Sequence, residues 1–225
     1  MDTTAETNHV TIADRVARLQ NEMTGQLPDD VLNTFGAEQA ALQAAGVPAG
    51  VAAAGDAMPD AQLLDVGGAP TTLAKALGGR SAVVVFYRGA WCPYCNLTLR
   101  AYQGELVPLL AQRDVGLIAI SPQKPDGSLS TQEQNELTFT VLSDPGNQIA
   151  IELGVLTMPS DAARDAQLTL GLDLSEANAD GTHGLPMPTV VIVDGAGIIR
   201  WIDIHPNYTT RTEVADIVAA LGVLD

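Results

Sequence analysis

The chain has 225 residues, enough for one large domain or for one domain with an extension, and 46% of them are hydrophobic. Eleven basic residues face 27 acidic ones, for a formal net charge of −16, which excludes a basic nucleic-acid-binding surface and disfavours anionic lipid. No apolar run reaches the length of a membrane span, and the start MDTTAETNHVTIADRVARLQ has neither a basic head nor an apolar core, so the expected address is the cytoplasm.

The predicted elements begin with helices. Residues 9–46 read as helical, with Ile12, Val16, Leu19 and Met23 recurring on one face. Gly25 and Pro28 punctuate the chain, and a second helix is expected over residues 30–45, burying Leu32, Phe35 and Leu42 before Gly46 and Pro48 end it. We read residues 1–48 as a helical extension that either pads the core or mediates a homodimer, because one apolar stripe does not name its partner. Residues 49–225 read as one α/β domain.

In that domain AQLLDVGGAPTTL suggests a strand, a Gly-Gly turn and an extended return. SAVVVFY (81–87) is a continuous apolar run, as expected of a strand covered on both faces. A helix is predicted over 93–111, with Leu97, Leu99, Tyr102, Leu106 and Leu110 mostly inward. VGLIAIS (115–121) reads as a second buried strand. Ser130 and Glu133 form a capping-box pattern for a helix ending near residue 137. FTVLSD is a short strand and NQIAIELG a short helix stopped by Gly154. Residues 155–187 read as irregular, with weak helical signal near 160–168. PTVVIVDGAGIIRWIDI (188–204) reads as a hairpin turning at Asp194–Gly195. Thr210 and Glu213 suggest a second capping box, for a last helix over 211–221. Asp65, Asp144 and Asp194 are expected to form turns. The resulting order predicts a mixed sheet with helices on both faces.

FYRGAWCPYC (86–95) holds both cysteines of the chain, Cys92 and Cys95. They fall where a buried strand gives way to a helix, the end of an α/β sheet where chemistry usually sits. Cys92 at the N-cap and Pro93 at the first helical position would aim the free N–H groups of the first turn at the Cys92 sulfur. That placement favours a thiolate, so Cys92 is the expected nucleophile. Three helical residues separate Cα atoms by about 5 Å, within disulfide range. A bond across so short a loop stabilises little, which favours a redox pair over a staple. Zinc would need two further ligands, and His183 and His205 do not form a tight ligand pair. No metal or other cofactor is therefore expected.

Residues 50–221 resemble the peroxiredoxin-like branch of the AhpC/TSA (alkyl hydroperoxide reductase C/thiol-specific antioxidant) family, on the thioredoxin-like fold. GDAMPDAQLLDVGGAPTTL resembles its opening hairpin, FYRGAWCPYCN its active-site segment, LIAISPQKPDG and FTVLSDPGNQIAIELGV its middle, and PMPTVVIVDGAGIIRW its closing hairpin. The resemblance implies that Cys92 is the peroxidatic or nucleophilic cysteine and Cys95 the resolving one. It also implies that Pro188 before Thr189 is a cis-proline facing the pair, presenting the Met187 backbone to substrate.

Two positions depart from the family pattern. The Thr or Ser expected three residues before the reactive cysteine is Gly89, and Met187–Pro188 stand where an Arg is expected before the closing strand. Arg88 is the nearest substitute, either holding the thiolate or making a surface salt bridge. Tyr87 and Trp91 read as packing or pocket wall, with Trp91 also able to shape a docking rim. His183 is either a proton carrier or a solvated loop residue; His205 reads as structural.

The implied activity is thiol-dependent reduction of hydroperoxides through a sulfenic acid on Cys92, resolved by Cys95 as an internal disulfide and re-reduced by a thiol donor such as a thioredoxin-like protein. The missing Thr and Arg, with the WCxxC motif, favour the alternative of a thiol–disulfide oxidoreductase. A more distant alternative is a non-enzymatic, redox-sensing binding module.

Overall fold

The computed structural model describes residues 10–224, so the start of the helical stretch predicted from residue 9 lies outside the described residues. Two helices come first, α1 (Ile12–Met23) and α2 (Asp29–Ala45). A short hairpin, β1 (Gln62–Leu64) and β2 (Pro70–Thr72), leads through α3 (Leu73–Leu77) into β3 (Ala82–Phe86). Next come α4 (Pro93–Ala101), a π-helical stretch (Tyr102–Leu106) and α5 (Val107–Ala111), which form the long helix predicted over 93–111 with one wide turn inside it. The chain continues through β4 (Gly116–Ser121), α6 (Pro125–Gln134), β5 (Thr140–Ser143) and α7 (Gln148–Glu152). The stretch read as irregular holds β6 (Leu156–Thr157), α8 (Asp161–Thr169), α9 (Leu174–Ala177) and β7 (Leu185–Pro186). The closing hairpin is β8 (Thr189–Val193) and β9 (Ile199–Ile204), followed by α10 (Val214–Ala220).

Seven strands form one mixed sheet in the order β2-β1-β5-β4-β3-β8-β9. The central strands β3, β4 and β5 run parallel, while β8 joins β3 antiparallel. Alternation along β3 sends Val83 and Val85 into one core and Val84 and Phe86 into the other, so both faces are covered. Ile12 and Val16 of α1 belong to the first core, together with both cysteines, Leu99 and Ile217. The apolar stripe of α1 is thus spent on its own chain. Glu213 fixes it there, its carboxylate oxygens accepting the Ile12 and Ala13 N–H groups at 2.8 Å each.

Both predicted capping boxes fail. Ser130 and Glu133 lie inside α6, which starts five residues earlier because Pro125 is favoured at a first helical position. Thr210 and Glu213 do not bracket a helical turn: α10 begins only at Val214, and residues 211–213 remain extended loop. Thr210 instead hydrogen-bonds the Asn207 carbonyl and the His205 ring, and Glu213 caps α1. In α2, Val31 is the buried residue, and Leu32, Phe35 and Leu42 are half-buried. The turn readings hold. Asp65 and Asp194 accept backbone N–H groups in their turns, and Asp144 caps α7 through Gln148 and Ile149.

Candidate active site

Cys92 is the N-cap of α4 and Pro93 its first residue, as the spacing predicts. The Cys92 carbonyl accepts the Cys95 and Asn96 N–H groups at 3.1 Å each. The sulfur, however, takes no capping hydrogen bond from the helix, contrary to expectation. No disulfide joins the two sulfurs, and each cysteine is 1% exposed.

The positive group beside them comes from elsewhere. Arg211, placed by the sequence at the start of a helix, lies in the loop before α10 and turns inward. Its Nη2 is 3.4 Å from Cys95 Sγ and 4.0 Å from Cys92 Sγ. Its Nη1 donates to the Tyr208 and Thr210 carbonyls, which fixes the guanidinium. Nearby, the Tyr102 hydroxyl donates to the Thr212 carbonyl at 2.7 Å and the Thr212 hydroxyl donates to Asp203 at 2.8 Å.

Burial pushes both thiols up. Against it, the hydrogen bond from Cys92, the Arg211 charge and the Arg88 backbone N–H hold Cys95 down to about 5. Cys92 is pushed well up by burial and by its bond to the Cys95 sulfur. The pair therefore gives up one proton readily and the second with difficulty. The charge sits nearer Cys95, the sulfur closer to Arg211.

The two sulfurs face different spaces. Cys95 borders a void of only about 10 Å³, walled in part by Pro188, Thr189, Tyr102, His205 and Arg211. Cys92 borders an open cleft of about 540 Å³ between α1, α2, the end of α8 and Tyr208.

Of the residues predicted to support the site, Arg88, Trp91 and Pro93 line the cleft with Cys92. Among the described residues Arg88 makes no salt bridge. It is 5% exposed, its guanidinium carbon 3.9 Å from the Tyr208 ring centre and 5.2 Å from that of Trp91. Pro188 and Thr189 lie on the Cys95 side. The Met187–Pro188 bond is trans, as are all peptide bonds among the described residues, in place of the expected cis-proline. Met187 also does not offer its backbone. Its N–H donates to the Val155 carbonyl at 2.8 Å, its carbonyl accepts the Thr189 hydroxyl at 2.9 Å, and its side chain joins the opposite core. His183 lines neither space, and His205 is held by Asp203 and Thr210. Among the described residues no cluster of three or more His, Cys, Asp or Glu is placed to hold a metal ion.

Gly89 has a local reason. A Cβ there would lie 2.5 Å from Trp91 Nε1, so the indole occupies the space a Thr would need. The loop is pinned around it: Ala90 N–H donates to Gln123 Oε1 at 2.8 Å and Asn96 Nδ2 donates to the Ala90 carbonyl at 2.7 Å.

Sequence reasoning missed Arg211, Tyr208 and Gln167. A signal existed for Arg211: basic residues are scarce, and Asn207 opens a turn just before it.

The AhpC/TSA family model matches residues 54–202, well over half of the chain. The chain belongs to the AhpC/TSA family. It is similar to a putative peroxiredoxin of Haemophilus influenzae, 35% identical over 80 residues, covering 34% of this chain and 49% of that protein. A putative peroxiredoxin of Mycobacterium tuberculosis is 30% identical over 100 residues, 44% of this chain and 62% of that one. The match thus spans about half to three fifths of these relatives' length. Among solved structures, a peroxiredoxin-like protein from Aquifex aeolicus superposes with a TM-score of 0.59 at 16% identity, covering 77% of this chain and 89% of that one. The thiol peroxidase of Chromobacterium violaceum gives 0.59 at 16%, covering 78% and 90%. These likenesses establish the thioredoxin-like fold of this AhpC/TSA member. The family match ends before Arg211 and begins after α1 and α2.

Proposed function

We propose that the chain is a thiol-dependent peroxidase in which Cys92 reduces hydroperoxides and Cys95 resolves the product. The observation that carries this is Arg211 beside a buried dithiol of which only Cys92 borders an open cleft. The charge rests nearer Cys95, but access decides the attacker. A proton passes between the hydrogen-bonded sulfurs, and Cys92 is the one a substrate can meet.

The Cys92 thiolate attacks the terminal peroxide oxygen. The S–O bond forms, the O–O bond breaks, and the leaving alkoxide takes a proton to become an alcohol, or water from H₂O₂. Cys95, as thiolate, then attacks the Cys92 sulfur. The S–S bond forms and hydroxide leaves, taking a proton to become water. Two thiol equivalents from a donor of the thioredoxin or low-molecular-weight type restore the dithiol and leave as a disulfide. Arg211 and Arg88 take the places of the absent family groups: Arg211 holds the thiolate, and Arg88 meets the charge that develops on the peroxide oxygens. A pair that must be kept reduced suits a reducing compartment, which supports a cytoplasmic address.

The alternative, attack on protein disulfides, is disfavoured by the 1% exposure of Cys92 beneath α1 and α2. The test is single turnover with reduced protein. Mixing with H₂O₂ or an organic hydroperoxide is expected to oxidise Cys92 within the stopped-flow window and to give one internal disulfide by mass. Peroxide inertness together with a trapped mixed disulfide in the Cys95→Ser protein would overturn the reading in favour of disulfide exchange.

A further inference from the structure

The cleft over Cys92 is far larger than hydrogen peroxide requires. About 540 Å³ is the size of a small-molecule site, whereas one water takes about 30 Å³. Half of its wall comes from outside the family-matched region, including Gln20 and Met23 of α1, Leu32, Phe35 and Gly36 of α2, and Tyr208. The wall is mostly apolar, and it is unusually aromatic. The chain has two tryptophans, four tyrosines and three phenylalanines, and four of these nine, Phe35, Trp91, Tyr94 and Tyr208, line this one cleft.

Polar groups without partners lie on the same surface. Arg88 Nε, Trp91 Nε1 and Gln167 Oε1 are buried and make no hydrogen bond, with Arg88 and Gln167 each 5% exposed. Arg88 forms no ion pair among the described residues. Buried donors, acceptors and charges left in this state are costly and mark a place where a ligand supplies the missing partners. Arg88 and Trp91 precede Cys92 by four residues and one residue and line the same cleft, Arg88 close enough for its charge to act on the Cys92 thiol, and the remaining wall is built mostly of rings and aliphatic side chains.

We infer that the cleft is a recognition site for aromatic hydroperoxides, with the –OOH group at Cys92, Arg88 and Trp91 and the aryl body among Phe35, Tyr94 and Tyr208. This rests on the peroxidase reading above and names its substrate class. An organic hydroperoxide has the required division, with two oxygens that accept hydrogen bonds at one end and an apolar body at the other. An aryl ring gains edge and face contacts with these three aromatic neighbours that an aliphatic chain does not. The helices α1 and α2 are then the specificity element, and they are anchored where the cleft needs them. Glu213 holds α1, and Glu38 of α2 accepts the Ser160 N–H at the start of α8 at 2.9 Å.

The test compares cumene hydroperoxide, tert-butyl hydroperoxide and H₂O₂ by stopped flow on the full chain. It adds equilibrium binding of cumyl alcohol, the reaction product, to the Cys92→Ser protein followed by tryptophan fluorescence. The cumene hydroperoxide rate constant should exceed that for tert-butyl hydroperoxide by about tenfold or more. Cumyl alcohol should bind saturably and more tightly than tert-butanol. Gly36→Phe places a ring in open space, since a Cβ at Gly36 meets nothing within 4 Å, and it removes a helix-interior glycine. It should lower the cumene-to-H₂O₂ rate ratio about tenfold. Equal rates for the two organic peroxides, together with no saturable binding of cumyl alcohol, would overturn the inference while leaving a general peroxidase. Saturable binding of cumyl alcohol with thiols inert to all three peroxides would overturn the peroxidase reading, and with it the hydroperoxide as ligand.

Discussion

Cys92 and Cys95 stand one helical turn apart and look into opposite surroundings. Around Cys95 the space closes down to about 10 Å³, and Arg211, fixed by two backbone carbonyls, stands nearest that sulfur. Around Cys92 the space is open and mostly apolar, and half of its wall comes from α1, α2, the turn between them and Tyr208, outside the family-matched region. The contrast separates two tasks. The closed side sets the charge of the pair, and the open side sets what meets it. Such a division lets substrate choice vary through α1 and α2 without disturbing the groups that ionise the thiols.

The sharpest way to break the contrast is to remove each sulfur in turn. Cys92→Ser should abolish peroxide consumption. Cys95→Ser should keep a single turnover and stop at sulfenic acid on Cys92, detected as one dimedone adduct by mass. Equal loss at the first step in both variants would mean that the two sides do not divide the work.

Next in size is Arg211→Met. With Cys95 held down to about 5, the pair is already singly ionised at pH 7. Peroxide reactivity should therefore be flat from about pH 6 to 8 and fall as pH drops through about 5, where the thiolate takes up its proton. Without the guanidinium the midpoint should rise by roughly two units, cutting the rate by about half at pH 7 and about tenfold at pH 6, with recovery at high pH. Arg211→Lys should recover part of the shift. A thiolate absorbance titration at 240 nm checks both. An unmoved midpoint would take the charge-setting role away from the closed side.

The fold was legible because its signals are redundant. SAVVVFY is apolar from Ala82 onward and reads as a covered strand whatever its neighbours, and the closing hairpin carries two apolar-rich runs joined by an Asp-Gly turn. The thiol pair was legible for the same reason, since Pro93 and the spacing agree. Arg211 was not, because Thr210 and Glu213 fit a capping box equally well as sequence. In space Glu213 is drawn off to α1, 200 residues away in the chain, and the loop carrying Arg211 stays extended. The cleft was not legible either. Leu32 and Phe35 keep helical spacing whether they face a core or an opening, and only the packing of α8 against α2 leaves them half-buried.

Restoring the family residue at Gly89 should not improve the enzyme. In Gly89→Thr the new Cβ falls 2.5 Å from Trp91 Nε1, so the indole must leave the cleft wall or the loop must shift against Gln123 and Asn96. Overpacking of this kind costs about 1–3 kcal/mol. The expected result is a lower melting temperature and no gain in rate with H₂O₂. The double variant with Trp91→Ala should regain most of the stability and lose part of the preference for aromatic peroxides. A stable, faster Gly89→Thr single variant would mean that the open side tolerates the family pattern after all.

The smallest expected effect tests how firmly the two sides are joined. Glu213 sits two residues beyond Arg211 and holds the first turn of α1, so one side chain connects the loop that sets the charge to the helix that walls the cleft. Glu213→Ala leaves the Ile12 and Ala13 N–H groups without their acceptor and removes a negative charge from a helix N-terminus. By the usual worth of an N-terminal cap the loss is about 1 kcal/mol, read as a shift of a few degrees in thermal unfolding. Because Arg211 is fixed by the Tyr208 and Thr210 carbonyls and not by Glu213, the thiolate titration should stay where it is. The binding of cumyl alcohol should weaken as α1 loosens. If the titration midpoint moves with it, the helix contributes to the charge of the pair, and the two sides act as one.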